Sequence, residues 1–218
     1  MMTEVKSIEV PGPLGRLGET FKEAEHELYL VGGFVRDALS GSIGRDVDAT
    51  TGAHPKEIKR LLAPVADHLW TVGERFGTIG ARVGDYDVEV TTYRTDLYTE
   101  GSRHPKVRFG KNLAEDLARR DFTINAIAAD AETGEVQDPC DGRRDLESGV
   151  IRSVGDPVDR MRDDPLRMLR AVRFETVLST PEKPFAMTTE LEAAIRENAH
   201  WLESISAERI RDEVEKIL

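Results

Sequence analysis

Cysteine is all but missing from this chain. Cys140 is the single example, which excludes an internal disulfide framework and cysteine-based zinc clusters. No run of about eighteen apolar residues occurs, so no segment reads as a membrane span. The N-terminus, MMTEVKSIEV, carries acids where a secretory leader needs an apolar stretch. Two phosphate-binding signatures are also lacking, the G-x-x-x-x-G-K-[ST] loop and the G-x-G-x-x-G dinucleotide fingerprint. The five histidines are scattered, with no spacing that suggests a metal site, and Trp70 and Trp201 lie far apart. What is left is a globular chain expected in the cytoplasm.

There is enough apolar material for a proper core. The 218 residues are 39% hydrophobic and 33% charged, which suits one domain plus a smaller second one. A formal charge of −11 argues against gripping nucleic acid with the whole surface. The charge is uneven, however. Arginines recur at Arg143, Arg144, Arg152, Arg160, Arg162, Arg167, Arg170 and Arg173, and a local basic groove is compatible with the acidic total.

Residues 28–50, LYLVGGFVRDALSGSIGRDVDAT, are the most informative. An apolar strand runs into a Gly32-Gly33 turn, then Arg36-Asp37, then Asp46-Val47-Asp48. Alternate residues of a strand share a face, so Asp46 and Asp48 present two carboxylates side by side while Val47 and Ala49 face the core. Carboxylates that close repel unless a hard cation sits between them, and Mg²⁺ prefers a couple of carboxylates plus phosphate oxygens. The glycines let backbone N–H groups approach an anion, and Arg36 is placed to clamp one. The combination suggests metal-assisted phosphoryl or nucleotidyl transfer; the alternative is a Gly-Gly turn followed by a solvated acidic loop.

Periodicity supplies the surroundings. Leu14, Leu17, Phe21 and Ala24 predict an opening helix, and a short helix is expected over 33–40. Pro55 opens another helix, with Ile58, Leu61 and Leu62 on one face. GTIGARVGDYDVEVTTYR reads as a hairpin turning at Gly84-Asp85. In its second strand Glu89 faces away from Val88 and Val90, as a candidate third carboxylate or as an ordinary solvent-facing residue. Residues 95–112 show no period and read as a mobile loop over a site. Helical spacing is expected over 113–128, and a boundary near Gly155-Asp156-Pro157. Beyond it Leu191 and Ile195, then Ile210, Val214 and Ile217, continue a helical pattern.

Two arginine-rich segments follow. In EDLARRDFTINA, a helix would put Asp121 and Asn125 on one face, with Arg119 and Arg120 on neighbouring sides. That face offers an acceptor and an amide to ribose hydroxyls and an arginine to phosphate; an ordinary solvated helix with internal ion pairs is the alternative. In DDPLRMLRAVRF, Asp164, Arg167, Arg170 and Arg173 recur every three residues beside an apolar ridge of Leu166, Leu169 and Val172. A carboxylate and a guanidinium on one edge make a fixed hydrogen-bonding template for a base. Otherwise Asp164 merely caps the helix and the arginines face water.

In this order, these segments resemble a class II tRNA nucleotidyltransferase (CCA-adding enzyme), of the polymerase-beta-like nucleotidyltransferase superfamily that includes bacterial poly(A) polymerase. The resemblance spans about residues 28–218. It implies an α+β fold: a catalytic head with a small mixed sheet and helices over residues 1–155, then an all-helical neck over 156–218. It implies Mg²⁺ on Asp46 and Asp48, with Glu89 as a candidate partner, and Gly33 and Arg36 near the nucleotide phosphates. RRDFTINA (119–126), holding Arg119, Arg120, Asp121 and Asn125, resembles the ribose- and triphosphate-holding motif. DPCDGRRDL (138–146) resembles the hinge. DDPLRMLRAVRF resembles the amino-acid template, which implies that Asp164 and Arg167 read the base while Arg170 and Arg173 support that edge and the phosphates. SAERIRDEVEKIL (206–218) resembles the neck helix that closes the pocket.

The activity implied is template-independent addition of CMP and AMP, from CTP and ATP, to the 3′ end of tRNA, without a membrane. Alternatives are a CC-only or A-only adding enzyme, a poly(A) polymerase, and a silent nucleotide- or RNA-binding module. Many relatives carry Glu-Asp where this chain has Asp163-Asp164. Family members also continue into helical body and tail domains, so the chain is expected to be a head-plus-neck portion.

Overall fold

Leu14, Leu17 and Phe21 share the buried face of helix α1 (Gly12–Glu23). The computed structural model describes residues 7–97, 106–110 and 112–217. Two compact units interleave in sequence. One is built from the chain up to Leu117 together with Ile127–Pro139, the other from Ala118–Ala126 and Cys140 onward.

The first unit continues through β1 (Leu28–Val31), α2 (Gly33–Leu39), β2 (Asp46–Thr51), α3 (Pro55–Leu62), β3 (His68–Trp70), β4 (Thr78–Val83) and β5 (Tyr86–Thr92). A ribbon of β6 (Arg94–Leu97) and β7 (Lys106–Phe109) and the short helix α4 (Leu113–Ala118) precede β8 (Ala128–Asp130) and β9 (Val136–Gln137). A seven-stranded mixed sheet has the order β3-β4-β5-β2-β1-β8-β9. Its β2 and β5 run parallel, in a register that sets Asp46 beside Asp87 and Asp48 beside Glu89. Ile58, Leu61 and Leu62 from α3 join the α1 residues over Leu30, Val47, Ala49, Val88 and Val90. Removing this apolar area from water is what holds the sheet flat against its helices.

Two glycines are demanded by the fold. Gly32, with φ 69°, makes the left-handed turn between β1 and α2. At Gly18 a Cβ would stand 2.6 Å from the backbone nitrogen of Glu132 and 2.7 Å from the Ala131 carbonyl carbon. Gly18→Ala therefore forces α1 off the strand end, and should cost about 1–3 kcal/mol in urea denaturation, although alanine is the better helix former. An unchanged midpoint would contradict the close approach.

Two expectations need correction here. The stretch 95–112 is not all loop, because β6 and β7 pair antiparallel from Arg94↔Phe109 to Leu97↔Lys106. Strands of four residues are too short for their alternation to stand out from the surrounding polar sequence; the tip, 98–105, lies outside the described residues. The helix expected over 113–128 ends at Ala118. The Asp121 carboxylate accepts the Phe122 N–H at 2.8 Å, competing with helical bonding, and Phe122 is fully buried in an extended conformation. A short 3₁₀ turn, Thr123–Asn125, follows.

The second unit holds α5 (Gly142–Ser148), β10 (Val150–Ile151), α6 (Pro157–Asp163), α7 (Leu166–Leu178), β11 (Ala186–Met187), α8 (Thr189–Asn198) and α9 (Ala207–Glu215). β10 and β11 pair in parallel, so the region beyond 156 is helical but for one two-residue strand. Asp156, Thr188 and Ser206 are the side-chain N-caps of α6, α8 and α9. The buried face of α7 is Leu166, Arg167, Met168, Ala171 and Phe174, with Phe174 edge-on to Phe122 at 5.7 Å. The ridge expected at Leu166, Leu169 and Val172 is thus rotated, and Val172 is exposed. Among the described residues no helix is long and apolar enough to cross a membrane.

Candidate active site

The residues marked in the sequence fall into two groups, one on each unit. On the first unit, β2 alternates as expected. Asp46 and Asp48 are exposed while Val47 and Ala49 are buried. The parallel register brings Glu89 alongside Asp48, and Glu89 likewise points away from Val88 and Val90. Asp87, beside Asp46, is held by Arg82 through a bidentate pair at 2.7 Å. Partial desolvation and the charge of Asp48, with a smaller share from Asp46, push the Glu89 carboxyl above the usual carboxylate range.

Mutual repulsion among Asp46, Asp48 and Glu89 is the mark of a site that favours a cation. Among the described residues no three His, Cys, Asp or Glu side chains form a ready-made metal cage. Mg²⁺ needs only one or two carboxylates and fills its remaining positions with water and substrate phosphate, and the exposed Asp46 and Asp48 offer two. The donor set is hard oxygen throughout, and it fits.

Gly33 opens α2. Arg36, expected to clamp phosphate, is buried, and its Nε donates to Asp37 at 2.8 Å. No spacing in the sequence marks Arg94, yet it belongs to this face. It donates to the Thr78 hydroxyl at 2.7 Å, and its charge opposes the rise at Glu89.

On the second unit the arginines are less exposed than the sequence implies. Asp121 and Asn125 meet without a helix, through Asn125 Nδ2 to Asp121 Oδ1 at 3.1 Å, and both are buried. The other oxygen of Asp121 accepts Arg170 Nε at 2.8 Å. Burial alone would raise Asp121, but Arg170, Asn125 and the Phe122 N–H outweigh it and hold the carboxyl below its ordinary value. Arg119 and Arg120 are half-buried. The Arg119 carbonyl accepts Arg167 at 2.9 Å, and Arg120 reaches the Asn125 carbonyl at 3.5 Å.

The three-residue arginine repeat on α7 therefore does not line one open edge. Arg167 is buried and bonded to main-chain carbonyls, Arg170 pairs with Asp121, and Arg173 donates to Glu213 at 2.7 Å. Over 143–173 three further arginines meet acids: Arg152 pairs with Asp145, Arg160 with Asp163 and Arg162 with Asp159. Each of these partners is an acid that sequence distance hid or that composition merely counted. Asp164 sits between α6 and α7, where Oδ1 accepts the Leu166 N–H at 3.2 Å and Oδ2 accepts Arg209 at 2.8 Å.

A mixed sheet with an Asp-x-Asp strand beside a Gly-Gly turn is the arrangement expected from the sequence for a nucleotidyltransferase head. Residues 28–152 match the Poly A polymerase head domain, and the chain belongs to that family. Residues 184–218 match a second family, described as the probable RNA and SrmB-binding site of polymerase A.

Among individual relatives, the chain is 44% identical over 200 residues to a CCA-adding enzyme of Lactobacillus helveticus, and 43% identical over 201 residues to one of Streptococcus pneumoniae. These alignments cover 91% and 92% of this chain but 48% of each relative. The chain thus spans about half the length of the curated relatives it matches. Its fold is similar to the crystal structure of the Bacillus stearothermophilus CCA-adding enzyme in complex with CTP, with a TM-score of 0.80 and 38% identity, over 95% of this chain and 49% of that one. It is also similar to a Thermotoga maritima CCA-adding enzyme complexed with tRNA, with a TM-score of 0.76 and 30% identity, over 94% and 46%.

Proposed function

We propose that this chain is the nucleotide-adding portion of a CCA-adding tRNA nucleotidyltransferase, joining CMP and AMP from CTP and ATP to the 3′ end of tRNA in the cytoplasm. The observation that carries this reading is the pairing of β2 with β5, which aligns Asp46, Asp48 and Glu89 on one exposed strip of the sheet. We read residues 1–155 as a catalytic head and 156–218 as a helical neck; the head match ending at residue 152 supports the first bound, and the second match, 184–218, lies inside the neck.

Asp46 and Asp48 would hold Mg²⁺, with Glu89 beside them. When bound, the ion supplies activation of the attacking 3′ hydroxyl and neutralises charge on the departing pyrophosphate. The chain's own residues do the rest. Arg36 and the Arg119–Arg120 pair orient the triphosphate electrostatically, and Asp121 with Asn125 hold the segment that carries those arginines. Asp164 would select the base, since a carboxylate accepts from the exocyclic amine that cytosine and adenine share and that uracil lacks, and Arg167 would assist with the N–H donors left over by its bonds to the Arg160 and Arg119 carbonyls.

The test is incorporation of labelled CTP and ATP, separately and together, into tRNA lacking its CCA end, with Mg²⁺ present. The expected product is CC from CTP alone and CCA from both. Runs of adenosine would instead indicate a poly(A) polymerase. Mg²⁺-dependent binding of CTP and ATP without any product would indicate a binding module.

A further inference from the structure

We infer that Arg209 is a positioning residue for base selection, fixing the carboxylate of Asp164 from a neighbouring helix; the inference rests on Asp164 reading the base. Asp164 has extended backbone, φ −149° and ψ 101°, in the break between α6 and α7. A side chain there has no helical turn beneath it to set its rotamer. Its two oxygens are instead fixed by two donors in different directions, the Leu166 N–H at 3.2 Å and the Arg209 guanidinium at 2.8 Å. The first bond is local and sets the turn into α7. The second comes from a residue 45 positions away and sets the plane of the carboxylate.

α9 is built to deliver it. Glu213, one turn beyond Arg209, is 4% exposed and accepts Arg173 at 2.7 Å and Lys216 at 3.2 Å, with Arg170 at 3.8 Å. Burial alone would raise Glu213; Arg173 leads the interactions that keep it ionised. Arg209 and Glu213 thus meet opposite charges on the segment 164–173 at two points one helical turn apart. The Glu213 contact is buried and anchors α9. The Arg209 contact is half-exposed and contributes little to stability. An anchored α9 that holds a weak surface pair against the base-reading acid is a positioning device: each carboxylate oxygen keeps a second lone-pair site open to an exocyclic amine.

Arg209→Ala, Arg209→Lys and Asp164→Ala should be compared with the unaltered chain by equilibrium binding of CTP, ATP and UTP with Mg²⁺, alongside thermal melting. The unaltered chain is expected to bind CTP and ATP more tightly than UTP. Arg209→Ala should lower the CTP-over-UTP affinity ratio by about tenfold with an unchanged melting temperature, and Arg209→Lys should recover part of it. If Asp164→Ala abolishes the preference while Arg209→Ala keeps it, the positioning role is wrong and the base-reading role stands. If Asp164→Ala leaves the preference intact, or the unaltered chain has none, the base-reading role itself fails. A preference lost in Arg209→Ala only together with a lower melting temperature, and not recovered by lysine, would make Arg209 structural and overturn the inference.

Discussion

Asp48→Ala is expected to lower CTP incorporation by about a thousandfold or more, since metal-borne charge stabilisation is worth several kcal/mol in the transition state. The fold should not suffer. Asp48 is exposed on β2, and surface changes of this kind usually stay within about 0.5 kcal/mol. The variant also removes the repulsion felt by Glu89, so the Glu89 carboxyl should return toward its ordinary range. Two measurements check this: single-turnover incorporation, and carbon-detected NMR titration of Glu89 in the metal-free protein. Turnover retained within tenfold would remove Asp48 from the metal site. A Glu89 titration that does not move would show that the two carboxylates do not share an environment.

The largest loss of stability is expected from Arg170→Ala. It leaves the Asp121 carboxylate, 7% exposed, without its charged partner, and breaking such a pair costs about 3–5 kcal/mol. Asp121→Asn should cost less, because the asparagine is neutral and Arg170 reaches solvent. The effect has a pH signature. Asp121 and Glu213 both titrate below their ordinary values in the folded chain. The unfolded chain therefore binds more protons in the window between, and stability rises with pH there. That contribution is complete above the ordinary values, 3.8 for Asp121 and 4.5 for Glu213, and fades as pH falls through the lower folded values. Urea denaturation at neutral pH and in acid should show the gap between the unaltered chain and Arg170→Ala narrowing below about pH 4. A gap independent of pH would mean that the Asp121 carboxylate is not what Arg170 stabilises.

The parts of the fold legible in the sequence are those made by short-range periodicity. The alternation that exposes Asp46 and Asp48, the turn at Gly84-Asp85, and the helical spacing of Leu14, Leu17 and Phe21 all survive into the structure. The failures have a common cause. The stop at Ala118 has a local part, the Asp121 carboxylate on the Phe122 N–H, and a distant one, the packing of Phe122 on Phe174, 52 residues on by position, and hydropathic spacing encodes neither. α9 reads as an apolar pattern at Ile210, Val214 and Ile217, yet the residue it buries is Glu213. Hydropathy takes a glutamate for a solvent residue; two arginines on another helix make it an interior one.

Residue order alone determined the chemistry on offer: hard carboxylates two apart on a strand, a glycine turn and an arginine-rich helix. Those follow from bond geometry and side-chain period, which are local. Tertiary structure alone decided which charges meet. Asp48 beside Glu89, Arg170 on Asp121, and Arg209 on Asp164 are pairs 41, 49 and 45 residues apart, and only the register of a parallel strand pair or the packing of helices brings such groups within a few ångströms. Charge interactions depend on separation in space, and no period in a sequence encodes that.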